Sequence, residues 1–336
     1  MFGRLIRFLK DWTLPVSMVG GALGYFICAG LPLSEETQQV SYVVISHYIQ
    51  PMFLFSMLFL SFSKVDPRDL RPKRWHLWLI VIQATCIVVC SLLGLAAKEG
   101  VIPGIGYNYG VKILCEGAML CFICPTATAS SVITGKLGGS VSGVTCYLLL
   151  CNMMVALMAP ALLPMVEPHE GFTFFSSFLM IMGKVFPLLI CPLAAAWVVR
   201  FFLPELHKRI LGYTDLAFYI WAVSLALAIA VTVRAIVHTT VPVGYILGLS
   251  LVSLVCCVFQ FVVGKRLGTH YDVAPSRVNR ITVGQAFGQK NTVFIIWLGL
   301  VFLDPVTSVV GGLYSVWHNT VNSYQLYKKT PPQPSP

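Results

Sequence analysis

Gly284-Gln285-Ala286-Phe287-Gly288-Gln289-Lys290-Asn291 sits inside an apolar run, 280–303, that is long enough to cross a bilayer. Two glycines flank three amides and an ammonium. Such groups are costly in hydrocarbon and need partners. A second interruption, Cys124-Pro125-Thr126-Ala127-Thr128-Ala129-Ser130-Ser131, lies inside the run 109–134. Pro125 removes a backbone donor there, and small hydroxyl residues follow. Broken backbone at membrane depth is tolerated only where protein or a polar cavity satisfies it. Alternatively, Ser and Thr in membrane helices bond back to their own carbonyls, which is the plainer account of the hydroxyl run at 126–131.

Composition makes the solvent around these runs lipid. The chain has 336 residues, 57% hydrophobic and 11% charged, with mean hydropathy +0.80. Soluble domains carry about a quarter charged residues, so there are too few here to coat a soluble core. The net charge of +10 does not point to nucleic acid, because Lys and Arg fall in short gaps between apolar runs rather than on one solvated face. Most of the eleven cysteines lie within apolar runs. Cys121 and Cys124 have C-x-x-C spacing but stand in a hydrophobic segment, so packed thiols are expected rather than a metal or redox site.

Ten stretches reach spanning length: 14–31, 41–62, 76–97, 109–134, 140–165, 173–199, 213–234, 242–264, 280–303 and 305–326. Their number can be checked by charge. With the N-terminus inside, eighteen of the 23 Lys and Arg fall in inside segments. Lys98 and Arg234 fall outside, and Lys112, Lys184 and Lys290 within spans. A miscounted span would scramble that skew. The expectation is an all-α polytopic protein of the cell membrane with both termini cytoplasmic. Residues 1–12 form an amphipathic lead rather than a cleaved signal, and the tail, 328–336, is disordered. Five spans per half make the second half (168–327) inverted relative to the first (1–167). Each interruption occupies the fourth span of its half, and paired breaks of this kind point to a transporter's binding site.

Several motifs resemble the bile acid:sodium symporter family. In the second half these are Gly288-Gln289-Lys290-Asn291-Thr292 and Gly311-Gly312-Leu313-Tyr314-Ser315-Val316-Trp317-His318-Asn319. In the first half they are Cys124-Pro125 with Thr128-Ala129-Ser130-Ser131-Val132-Ile133-Thr134, the exit Phe62-Ser63-Lys64-Val65-Asp66-Pro67-Arg68-Asp69-Leu70, and Gln83 in the third span. The likeness covers nearly the whole chain. It implies a panel of the first, second, sixth and seventh spans against a core of the other six, with the two broken helices crossing near mid-membrane. It also implies substrate between panel and core, moved by alternating access. The expected site residues are Gln83, Thr128, Ser130, Ser131, Gln285, Gln289, Lys290 and Asn291, with His318 and Asn319 holding the last helix against the breaks.

The chain departs from the family where sodium would bind. Sodium-coupled members place a glutamate and a glutamine on the ninth helix, where this chain has Ala286 and Lys290. The fifth-span positions are Val144 and Leu148, and the fourth-helix asparagine is Ser131. Ser130, Ser131 and Gln83 remain as candidate sodium ligands. Lys290 offers a positive charge and no acceptor. Either it acts as a tethered cation donating to backbone oxygens at the break, which makes transport sodium-independent or proton-linked, or it is a permanently charged, purely structural lysine.

Glu116 is the one carboxylate well inside an expected span. Either it pairs locally with Lys112 at i, i+4, or it forms a proton relay with Lys290. Lys184 either faces the cavity or snorkels. The expected function is secondary transport of a small organic anion, with no cofactor, no nucleic-acid partner and no catalysis. The alternative is a membrane-embedded enzyme or sensor on a transporter-like fold. Against an enzyme, Asp66, Asp69 and Asp272 show no repeated metal spacing and no nucleophile motif is present.

Overall fold

The computed structural model describes residues 13–32, 34–101, 106–168, 171, 173–213, 216–238, 242–270 and 276–329. The lead at 1–12, Glu170, Asp272 and residues 330–336 lie outside them. Every regular element among the described residues is a helix. The helices are α1 (Thr13–Gly30), α2 (Glu35–Ser63), α3 (Arg74–Lys98), α4 (Tyr109–Ile123), α5 (Ala129–Leu137), α6 (Val141–Val166), α7 (Phe174–Phe202), α8 (Pro204–Gly212), α9 (Leu216–Val237), α10 (Val243–His270), α11 (Ser276–Gly288), α12 (Thr292–Phe302) and α13 (Val309–Lys329). Six of them, α2, α3, α6, α7, α9 and α10, are long and apolar enough to cross a membrane. The last helix runs to Lys329, two residues into the segment expected to be a tail.

Around an apolar core, the outward face is apolar as well. Leu77, Phe175, Leu247 and Leu251 are 61–67% exposed, whereas Gln83, Gln285, Gln289 and Lys290 are 0–2% exposed. Apolar side chains facing outward and amides facing inward suit a multi-pass membrane protein, in which lipid replaces water.

Helix ends follow local sequence. Asn108 begins α4, its Oδ1 accepting from the N–H groups of Gly110 and Val111. Ser140 caps α6 and Thr173 caps α7 in the same way, each satisfying donors with no partner inside the helix. Gly138 ends α5 in the left-handed conformation at φ 86°, which a Cβ would disfavour. Within α2, Ile45–Ile49 forms a π-helical turn. Pro51 follows, and it lacks an N–H and crowds the carbonyl four residues earlier.

Glycines let helices approach closely. A Cβ on Gly264 would lie 2.6 Å from the Val283 carbonyl oxygen, and one on Gly268 would lie 2.6 Å from that of Asn279. These two glycines, one turn apart, seat α10 on α11 as small residues do in membrane bundles.

Candidate functional site at the two helix breaks

Each interrupted run folds as two helices, α4 with α5 and α11 with α12. The two interruptions pair with each other. Thr126 and Lys290 form an antiparallel bridge. The Ala127 N–H donates to the Gln289 carbonyl at 3.1 Å, and the Asn291 N–H to that of Pro125 at 2.9 Å. Backbone that a continuous helix would have satisfied internally is thus satisfied across the break.

The remaining orphan carbonyls are met by side chains from neighbouring helices. Gln83 on α3 donates from Nε2 to the carbonyls of Phe122 (2.7 Å) and Cys124 (3.2 Å). Its Oε1 accepts from the Tyr147 hydroxyl at 2.7 Å and the Cys151 thiol at 3.4 Å. Gln260 on α10 donates to the Cys121 carbonyl at 3.3 Å. Thr126 Oγ1 donates to the Ala286 carbonyl at 2.8 Å, and the Tyr314 hydroxyl to that of Gly288 at 2.9 Å. The Cys124 thiol donates to the Asn291 carbonyl at 3.0 Å.

Lys290 departs from expectation. It is fully buried, yet its Nζ has no hydrogen-bond partner among the described residues. It does not donate to backbone oxygens at the break, where Gln83, Thr126, Tyr314, Cys124 and two backbone N–H groups are the donors. The ammonium lies 5.1 Å from the centre of the Phe287 ring.

The other expected residues divide by role. Asn291 caps α12, its Oδ1 accepting from the Phe294 N–H. Gln289 donates to Gln285, which donates to Gln325 at 3.0 Å. Ser131 bonds back to Thr128 within its own turn, as the plainer account of the hydroxyl run has it. Ser130 Oγ is buried without a partner among the described residues. His318 Nδ1 accepts from the Lys290 N–H at 3.4 Å, so it does touch the break. The Asn319 amide donates to Ser315 inside its own helix.

Three expected polar groups sit elsewhere. Lys112 lies 3.4 Å from Glu116 and 2.7 Å from Glu167. The local pair therefore exists, and it extends to the end of α6. Among the described residues no hydrogen bond or ion pair joins Glu116 to Lys290. Lys184 is exposed, with its ammonium 5.6 Å from the centre of the Phe302 ring. Among the cysteines, Cys28 and Cys191 are exposed and the rest are buried or half-buried, all as free thiols.

A narrow cleft of about 20 Å³ opens beside the crossing, room for roughly one water. The N-terminal ends of α5 (Thr128, Ala129) and α12 (Asn291, Thr292) line it, as do Met57 of α2, Trp221 of α9 and His318 of α13. Two helix N-termini therefore present their positive dipole ends to one small space. Tyr147 and Gln260 act at the breaks without having been named from sequence, and Thr126 and Tyr314 were quoted there only as members of longer stretches. Gln260 had a legible signal, an amide within an apolar span as at Gln83. Tyr147 had none, because a tyrosine in a membrane run reads as interfacial. Comparison with protein-family models and with curated proteins yields no match.

Proposed function

We propose that the chain is a secondary transporter of a small organic anion, built of ten spans in two inverted halves and working by alternating access. The observation that carries this is the antiparallel contact of the two breaks at Thr126 and Lys290, with a cleft beside it lined by two half-helix N-termini. Such ends favour an anionic group. The cleft lies between α2 and α9 on one side and the breaks on the other, the two sides that the family resemblance assigns to panel and core. With room for about one water, it is closed around a site that rocking would open.

Sodium coupling does not suit this donor set. Gln83 Oε1 already accepts from two donors, and the ninth-helix position holds an ammonium. We read Lys290 as a fixed cation in place of a coupling ion, which leaves transport sodium-independent or proton-linked. The test begins with a thermal-shift screen of organic carboxylates on the purified protein. Uptake of the hits into proteoliposomes is then measured in sodium and in choline. Equal uptake in the two salts is expected. Strict sodium dependence would refute the role of Lys290, and absence of flux for every stabilising anion would refute transport itself.

A further inference from the structure

At the end of the bundle where α5 and α10 finish and α11 begins, a cleft of about 550 Å³ opens. It falls in the size range of small-molecule sites. Lys265 of α10, Arg277 and Arg280 of α11, and Lys328 of α13 line it, and among the described residues no Asp or Glu does. Among the described residues, none of the four cations has a carboxylate within salt-bridge distance. Like charges around one concavity repel one another, and an anion of two or more charges relieves that repulsion.

A second, independent feature points the same way. Gln325 also lines the cleft. Its Oε1 accepts from Gln285, while its own Nε2 is buried with no partner among the described residues. A buried amide donor without an acceptor is an unmet requirement, because it has given up its hydration and gained no bond in return. A phosphate oxygen meets it, and two arginines supply the forked donors that suit a phosphate. Tyr324 adds a phenol at the rim.

We propose that this cleft binds a phosphate-class oxyanion of two or more charges, carried by a lipid headgroup or by a soluble phosphorylated compound. Arg277 and Arg280 grip it, Lys265 and Lys328 neutralise it, and Gln325 donates from within. The site is separate from the helix breaks and does not depend on transport. Gln325, Gln285 and Gln289 nonetheless form an unbroken chain of amides from this cleft to the crossing.

The test uses the full chain in detergent, with thermal unfolding read by a thiol-reactive dye. One arm titrates sodium pyrophosphate against sodium chloride at matched ionic strength. The other compares mixed micelles of phosphatidic acid with phosphatidylcholine. The variants are Arg277→Gln with Arg280→Gln, Lys265→Met separately, and Lys208→Gln as a cation outside the cleft. A saturable stabilisation is expected in the natural chain and in the Lys208 variant. Its midpoint should rise about tenfold or more in the cleft variants, since each removes a charge-assisted bond or a neutralising charge. Stabilisation by pyrophosphate, with or without phosphatidic acid, assigns soluble phosphate as an acceptable occupant. Stabilisation by phosphatidic acid alone assigns a headgroup. The proposal is overturned if neither probe exceeds its control, or if the Lys265 variant and the double arginine variant keep the natural midpoint. Uptake is not part of the readout, so its failure leaves this result standing.

Discussion

The substitution Lys290→Met should make the protein more stable and abolish transport. The sign is set by what surrounds the ammonium. Its favourable contact is the Phe287 ring at 5.1 Å, worth about 0.5–2 kcal/mol. Against it stands the burial of an ion with no hydrogen-bond partner, which costs several kcal/mol even after relaxation. The balance leaves Lys290 unfavourable by about 1–3 kcal/mol. Methionine fills nearly the same volume, tolerates irregular packing and sits well among thiols, so no cavity offsets the gain.

The assay follows unfolding by dye labelling of the buried thiols of Cys121, Cys124, Cys151 and Cys257, alongside uptake of a stabilising organic anion. The apparent Tm should rise by a few degrees while uptake falls to background. Stability gained with function lost is the signature of a strained functional group. A Lys290→Met protein of lower Tm with intact uptake would refute the reasoning, because Lys290 would then be a structural cation with a partner unaccounted for.

Gln83→Leu should lower the Tm sharply, because it strands the carbonyls of Phe122 and Cys124 and the Tyr147 hydroxyl together. Three such groups at about 1–3 kcal/mol each give about 3–6 kcal/mol after partial relaxation, and an unchanged Tm would show that other donors cover the break. Gly264→Val should reduce folded yield and Tm in a detergent-solubilised preparation, since its Cβ would meet the Val283 carbonyl oxygen at 2.6 Å and backbone cannot yield as a side chain does. Glu116→Gln should leave the pH dependence of uptake unaltered, because Lys112 keeps Glu167 at 2.7 Å. A shifted pH profile would bring Glu116 into the mechanism.

The sequence showed where the helices break but not how the breaks are satisfied. Pro125 and the glycines at 284 and 288 mark both sites, because missing donors and weak helix formers are local properties. The donors that close them are not local. Gln83 lies 39 residues from Phe122, and Tyr314 lies 26 from Gly288. Only the packed bundle brings them together. The same limit explains Lys290. A lysine beside broken backbone is expected to donate to it, but here amides, hydroxyls and backbone N–H groups from distant residues are the donors. The basic cleft was legible only as a surplus of positive charge at one set of helix ends, since Lys265, Arg280 and Lys328 come from three different helices. The count of helices that could span was also blurred by the breaks. Cutting two runs in half leaves α4, α5, α11 and α12 each too short to cross alone.

That shortening has a mechanical consequence. A continuous helix carries its hydrogen bonds within itself and can slide past its neighbours without disturbing them. Here the backbone of each break depends on the other break and on Gln83, Thr126 and Tyr314. Moving α4–α5 relative to α11–α12 would therefore expose carbonyls to hydrocarbon at several kcal/mol apiece. The crossing should accordingly move as one rigid body, and any alternation of access has to occur where that network ends. Its backbone part stops at the cleft, which Met57, Trp221, Thr128 and Asn291 line together, because no backbone hydrogen bond among the described residues joins α2 or α9 to the breaks. A cysteine pair bridging Met57 and Thr128 should therefore lock uptake on oxidation and release it on reduction. A pair bridging Thr126 and Ala286, within the rigid network, should leave uptake unaffected by either treatment. If the second pair also locks transport, the breaks themselves move and the crossing is not rigid.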